Sequence, residues 1–360
     1  MRRTHAVRFT VWLLTVAAVG CGQDSPEPPP PDTTPEAVQL TVAIDLPETL
    51  RTLAEGWAGE RRARIRWADP GDRDAATLAE VDVVTARELA ASGALRPFPA
   101  SAPASVWLGA AGVVDDRTWG LPWRARITAL AVDGAASWPS LARRGERLVI
   151  VEGTEVDAFL ALAAADGVGI EPGTPHDADL TSDTAVEALA FLRRVMARAT
   201  VVPSTASWPQ DATAAVLAST HRDGLPAGLT VRALPGPDDT EDGRVIARPR
   251  VLVVPVAGDH GDLGVQLARW LAAPGRAALL HESAGEGIAL HRDVDPARVR
   301  SGGDWLALRP QACLPPTLGP DAAAWQAALH DVVAAAVERR RTPRAALEET
   351  WNRRPLDTDG

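Results

Sequence analysis

Residues 116–133 read DRTWGLPWRARITALAVD. Two tryptophans, a Gly-Leu-Pro corner and two arginines stand ahead of an apolar strand pattern. Aromatic side chains are scarce elsewhere, with 12 Trp, 4 Phe and no Tyr among 360 residues. Side chains of a strand alternate between its faces, so Arg124 and Arg126 share one side. If that side faces a cleft, they offer forked donors to hydroxyls, a carboxylate or a phosphate. If it faces solvent, they are ordinary surface charges.

The segments on either side set the fold class. VQLTVAIDL, Val38–Leu46, reads as a strand, and the helix after it shows Leu50, Leu53 and Trp57 on one face. ARIRWAD alternates as a second strand. A short polar helix is expected around Asp74–Glu80, then a third strand over Val81–Ala86. RELAASGALRPF reads as a helix stopped at Gly93, with Pro97 beyond. Past the opening stretch, RLVIVEG is a strand and EVDAFLALAAADG a helix. A longer helix carries a capping box at Thr184 and Glu187. Asp211–Thr220, GLTVRALPGPDD and RVLVVPVAGD, beginning at Arg250, read as strands. The remainder is helical, and Thr342-Pro343 opens the last helix. Strands alternating with helices mean an α/β protein with a mostly parallel sheet. Ligands bind such sheets beyond the carboxyl ends of strands. That rule selects Asp45, after the first strand, and Thr85, at the end of the third.

Composition excludes several chemistries. All the basic side chains are arginine. Without lysine there is no P-loop, Schiff-base or Ser-Lys chemistry, and without tyrosine no tyrosinate iron site. Beyond residue 20 the chain carries 34 basic against 47 acidic residues, a balance that opposes nucleic-acid binding. The seven histidines form no H-E-x-x-H, and the cysteines no metal spacing. No cofactor or metal is expected.

The N-terminus reads as an export signal. Met1–Arg8 is basic, and FTVWLLTVAAVG is too short to span a membrane. AVGC, Ala18–Cys21, is similar to the lipobox of bacterial lipoproteins, which implies a signal peptide over 1–20 and an acylated Cys21. The six prolines of Gly22–Ala37 make a polar, semi-rigid tether, so 21–37 is an anchor and spacer. Cys313 is then without a disulfide partner and reads as a small buried residue.

Taken in order, VDVVTARELAASGALRPF, RTWGLPWRARITALAVD, LTSDTAVEALAFLRRVMARATVVP, DATAAVLAST, ARWLAAPGRAALLHESAGEGIALHRDV and RRRTPRAALEETWNR resemble the family 1 extracellular solute-binding proteins. These are the maltose-binding-like receptors of ABC importers. Ala289 stands where the family has proline, and the 69–81 stretch is short. The resemblance implies a two-lobed periplasmic-binding-protein fold, type II-like, hinged between lobes. Residues 38–128 plus 250–298 would form the N-terminal lobe, and 129–247 plus 301–360 the C-terminal lobe. Its implied partners are a small polar solute, an acidic or neutral sugar first, and an ABC permease. The implied protein is a non-enzymatic monomer outside the cytoplasm, held to the membrane lipid through Cys21.

The resemblance places Trp123 facing the cleft, where an indole stacks on a sugar ring; the alternative is a core tryptophan. Trp119 reads as structural. Trp208 would cap the ligand from the second lobe, and Ser219 and Thr220 end the strand that follows it. Trp67 and Trp305 stay open as further candidates. Two rival functions stand beside import: sensing or adhesion without transport, and a secreted hydrolase. Adjacent acids such as Asp115-Asp116 point apart and make no acid–base pair by themselves.

Overall fold

Two sets of parallel strands are joined by a long antiparallel ribbon. The computed structural model describes residues 37–133, 148–170, 178–203, 209, 212–225, 228–236, 243–283, 287–316 and 322–352. The expected export signal, Cys21, the expected proline tether up to residue 36 and Trp208 lie outside the described residues. The strands are β1 (Val38–Ala43), β2 (Ala63–Trp67), β3 (Leu78–Asp82), β4 (Val113–Val114), β5 (Arg117–Thr118), β6 (Gly120–Asp133) and β7 (Leu148–Val151). They continue as β8 (Thr200–Val202), β9 (Ala214–Ala218), β10 (Leu229–Arg232), β11 (Val245–Val253), β12 (Ile288–Ala289) and β13 (Ala312–Cys313). The helices are α1 (Glu48–Gly59), α2 (Val83–Ala91), α3 (Glu155–Ala165), α4 (Asp183–Met196), α5 (Gly261–Ala272), α6 (Pro274–Glu282), α7 (Gly303–Ala307), α8 (Ala322–Val337) and α9 (Pro343–Asn352). None of the described helices is long and apolar enough to cross a membrane.

The main sheet runs β2-β1-β3-β11-β6-β9-β7-β8. β2, β1 and β3 are mutually parallel, as are β9, β7 and β8. Between the two wings, β11 and β6 pair antiparallel with each other and with their outer neighbours. At Thr128 the partner of β6 changes, because Thr128 is the last residue paired to β11 and the first paired to β9. With both faces covered, the 14 residues of β6 are almost all buried. Period-two alternation then feeds separate cores. Ile127 and Ala129 pack with Leu40, Val42 and Leu252, whereas Leu130 and Val132 pack with Ile150, Phe159 and Leu189.

Local chemistry moves several boundaries away from the sequence reading. The segment around Asp74 forms turns rather than a helix, and Glu80 lies in β3. The third strand stops at Asp82, not Ala86. Asp82 accepts hydrogen bonds from the Thr85 amide and hydroxyl, both at 2.9 Å, and so caps α2. Helix α4 is capped by Ser182, which accepts from the Ala185 amide, ahead of the expected box at Thr184. On α1 the buried face is Leu50, Ala54, Trp57 and Ala58, and Leu53 is exposed. Strand β11 begins at Val245, ahead of Arg250. At the last helix, the Ala345 amide donates to the Thr342 hydroxyl, as the Thr-Pro start requires. Cys313 is fully buried, and its thiol donates to the Ile170 carbonyl at 3.6 Å.

Candidate ligand-binding site

A cavity of about 410 Å³ lies over the β6–β11 ribbon. Its floor is cationic. The ladder sets Arg124 opposite Arg250 and Arg126 opposite Arg248, so four guanidinium groups occupy one patch. Val83, Val84 and Arg87 of α2 form one wall with Asp45 and Asp82, while Thr220, Leu314, Pro315 and Gln326 form another. Gly287 closes the floor with φ +81°. A Cβ there would sit 2.6 Å from the Ala125 carbonyl oxygen, so only glycine lets this loop approach β6.

Two buried carboxylates hold the arginines in place. Glu80 of β3 accepts from Arg124 Nε at 2.7 Å and Arg124 Nη2 at 2.6 Å, a bidentate pair. Its second long contact is Arg250 Nε at 3.8 Å. Asp157, in the first turn of α3, accepts from Arg248 Nε at 2.8 Å and meets Arg248 Nη2 at 2.6 Å. It also accepts from the Thr128 hydroxyl at 2.9 Å and stands 3.7 Å from Arg126 Nη2. Each carboxylate therefore binds one arginine tightly and a second loosely. Burial alone would lower the Arg248 pKa, but the charge and hydrogen bonds of Asp157 raise it. Burial lowers the Arg87 pKa. Burial also favours protonated Asp82, yet the Thr85 hydrogen bonds and the Arg250 charge hold its carboxyl below the ordinary range.

Arg124, Arg126 and Asp45 line the cavity. Arg126 keeps 41% of its side chain exposed, and Asp45 pairs with Arg51 at 3.4 Å. Thr85 is spent on the α2 cap and does not line the cavity. Ser219 is fully buried, and its hydroxyl accepts from the Ile127 amide at 3.1 Å; its neighbour Thr220 lines the cavity instead.

Trp123 does not face the cleft. It is 1% exposed, and its indole N–H donates to Glu80 Oε1 at 2.8 Å. A register shift explains this. Val251 pairs with Pro122 and Arg250 with Arg124, which leaves Trp123 as the extra residue of a β-bulge. The bulge breaks the alternation, so Trp123 and Arg124 both turn to Glu80, with the guanidinium carbon 5.1 Å from the ring centroid. Other tryptophans also serve the framework. Trp119 donates to the Val114 carbonyl, Trp57 packs against Trp270 at 6.1 Å, Trp67 donates to Glu55, and Trp305 is buried. None of the described lining residues is aromatic.

Sequence reasoning missed Glu80, Asp157, Arg248 and Arg250. ARPR repeats the Arg-x-Arg spacing of β6, but only the strand register brings the two pairs together. The signal for Asp157 is that it is one of two acids, with Glu155, in an otherwise apolar helix, EVDAFLALAAA. Among the described residues, no group of three or more His, Cys, Asp or Glu could hold a metal ion.

The ribbon between two parallel wings is the two-lobed fold of periplasmic binding proteins. Solved structures share it at low identity. An ABC transporter solute-binding protein from Thermotoga lettingae, bound with α-D-tagatose, matches with TM-score 0.65 and 15% identity, over 88% of this chain and 98% of that one. The sugar-binding protein MalE of Xanthomonas citri matches with TM-score 0.71 and 14% identity, over 88% and 96%. The GacH receptor of Streptomyces glaucescens, solved without ligand and with acarbose, gives 0.68 and 13%, over 88% and 97%. No protein-family model matches the sequence, and no curated protein is similar to it in sequence.

Proposed function

We propose that the protein is an extracytoplasmic receptor that captures a small polar solute and delivers it to an ABC importer. In this reading the lipid on Cys21 anchors it, the proline tether gives it reach, and it works as a monomer. The lobes are 38–128 with 250–298, and 129–247 with 301–360. Arg124, Arg126 and Asp45 belong to the ligand site, with Trp208 as its aromatic candidate. The observation that carries the reading is the cavity itself. It spans the ribbon common to both wings, so a ligand there contacts elements of each, as capture by hinge closure requires.

The acids in and beneath the cavity each have a partner. Glu80 and Asp157 are held by arginines, Asp82 by Thr85 and Asp45 by Arg51. That arrangement suits binding better than proton transfer. A thermal-shift screen over neutral sugars, sugar acids and organic acids tests the reading. A true ligand at a hundredfold excess over Kd stabilises by about 2.7 kcal/mol. A flat response to every solute, together with turnover of one of them, would overturn it.

A further inference from the structure

Resting on that receptor reading, we infer that the cavity selects a singly charged, hydroxyl-rich anion of monosaccharide size, a sugar acid, whose carboxylate is received by Arg126 and Arg250. The four floor arginines are not equivalent. Arg124 and Arg248 are each held by two short contacts, Arg124 to both oxygens of Glu80 and Arg248 to Oδ1 of Asp157. Arg126 and Arg250 keep 41% and 43% of their side chains exposed. Their carboxylate contacts among the described residues, 3.7 and 3.8 Å, lie outside hydrogen-bond distance. These two are diagonal neighbours across the ribbon. Diagonal positions stand about 7–8 Å apart, within reach of two long side chains converging on one carboxylate. Glu80 and Asp157, buried beneath, orient the pair and offset its repulsion without occupying its donors.

The walls narrow the class further. Asp45 and Asp82 accept hydrogen bonds from ligand hydroxyls but repel a second negative charge, which disfavours polycarboxylates and phosphate. Thr220 and Gln326 add hydroxyl and amide partners on the opposite side. Among the described residues the bulge takes Trp123 out of the lining and leaves the arginines as the floor. A volume of about 410 Å³ falls toward the small end of ligand pockets, which span roughly 300–1,000 Å³.

Isothermal titration of the full-length protein with D-galacturonate, D-gluconate, D-galactose, citrate and inorganic phosphate tests the assignment. At least one of the two sugar acids should bind, with affinity falling as salt rises. Arg126→Gln and Arg250→Gln should each weaken it about tenfold or more, Arg126→Lys should weaken it less, and Arg64→Gln on exposed β2 should leave it unchanged. Melting of the unliganded variants near the wild-type temperature shows that the loss is local. D-galactose binding as tightly as the acids, with no loss in the variants, overturns the sugar-acid assignment and leaves the receptor standing. Citrate or phosphate binding more tightly overturns the single charge. Silence with all five overturns the sugar-acid assignment, and turnover of any of them overturns the receptor reading as well.

Discussion

Glu80 shows how one side chain organises the site. Its carboxylate receives the Trp123 indole N–H and two Arg124 nitrogens, all within 2.8 Å, at 4% exposure. A glutamine keeps the volume but presents an amide N–H₂ to a guanidinium, donor against donor. Removing one partner of a buried ion pair costs about 3–5 kcal/mol, mostly the burden of the charge left behind. Glu80→Gln should lower the unfolding free energy from urea titration by that much while Glu88→Gln, exposed on α2, changes it little. A loss under about 1 kcal/mol would show that Arg124 finds another acceptor. At this scale the sequence was half legible. Arg124, Arg126 and Asp45 could be read from strand parity and strand ends. Glu80 could not, because its expected helix does not form and its partner lies 44 residues away.

Between elements, the legible part was periodicity and the hidden part was register. The alternation of strands and helices gave the parallel wings. The bulge at Trp123 arises from the pairing of Pro122 and Arg124 with adjacent residues of β11, and no local pattern encodes that. A second junction, the Ser219–Gly224 turn against α6 and α7, holds the most perturbed histidine among the described residues. His281 on α6 is fully buried. Its Nε2–H donates to the Gly302 carbonyl at 3.1 Å, and its Nδ1 accepts from Arg222 Nη1 at 3.1 Å. Burial first, then the Arg222 charge, depress its pKa from 6.5 to about 4. The unfolded chain therefore binds the proton below pH 6.5, whereas the folded chain resists it. This group's stabilisation is complete above pH 6.5 and declines as pH falls toward 4, by about 3 kcal/mol. Urea midpoints measured from pH 7 to 4 should show that decline. His281→Gln, which takes up no proton, should flatten it; an equally steep profile in the variant would assign the acid sensitivity to carboxylates instead.

For the whole molecule, β6 and β11 set the unit of stability. Ile127, Ala129 and Ala131 of β6 enter one core and Leu130 and Val132 the other, while Val251 and Val253 of β11 enter a third on the far face of the first wing. Neither wing can keep its apolar face covered if the ribbon leaves, because each loses a whole row of fully buried side chains. Burying a Leu, Ile or Val side chain stabilises by about 1.5–3 kcal/mol, so such a row is a large fraction of the net stability of a typical domain, about 5–15 kcal/mol. Unfolding should accordingly be one cooperative step. Tryptophan fluorescence reports both cores, through Trp123 and Trp305 in one and Trp325 in the other. Its urea transition should coincide with that of far-ultraviolet circular dichroism. Two separated transitions would mean that one wing survives without the shared strands, and the ribbon would then be a linker between independent domains. A single transition that a bound solute moves as a whole is what capture across the ribbon requires, since the same two strands carry both the floor arginines and the residues that close both cores.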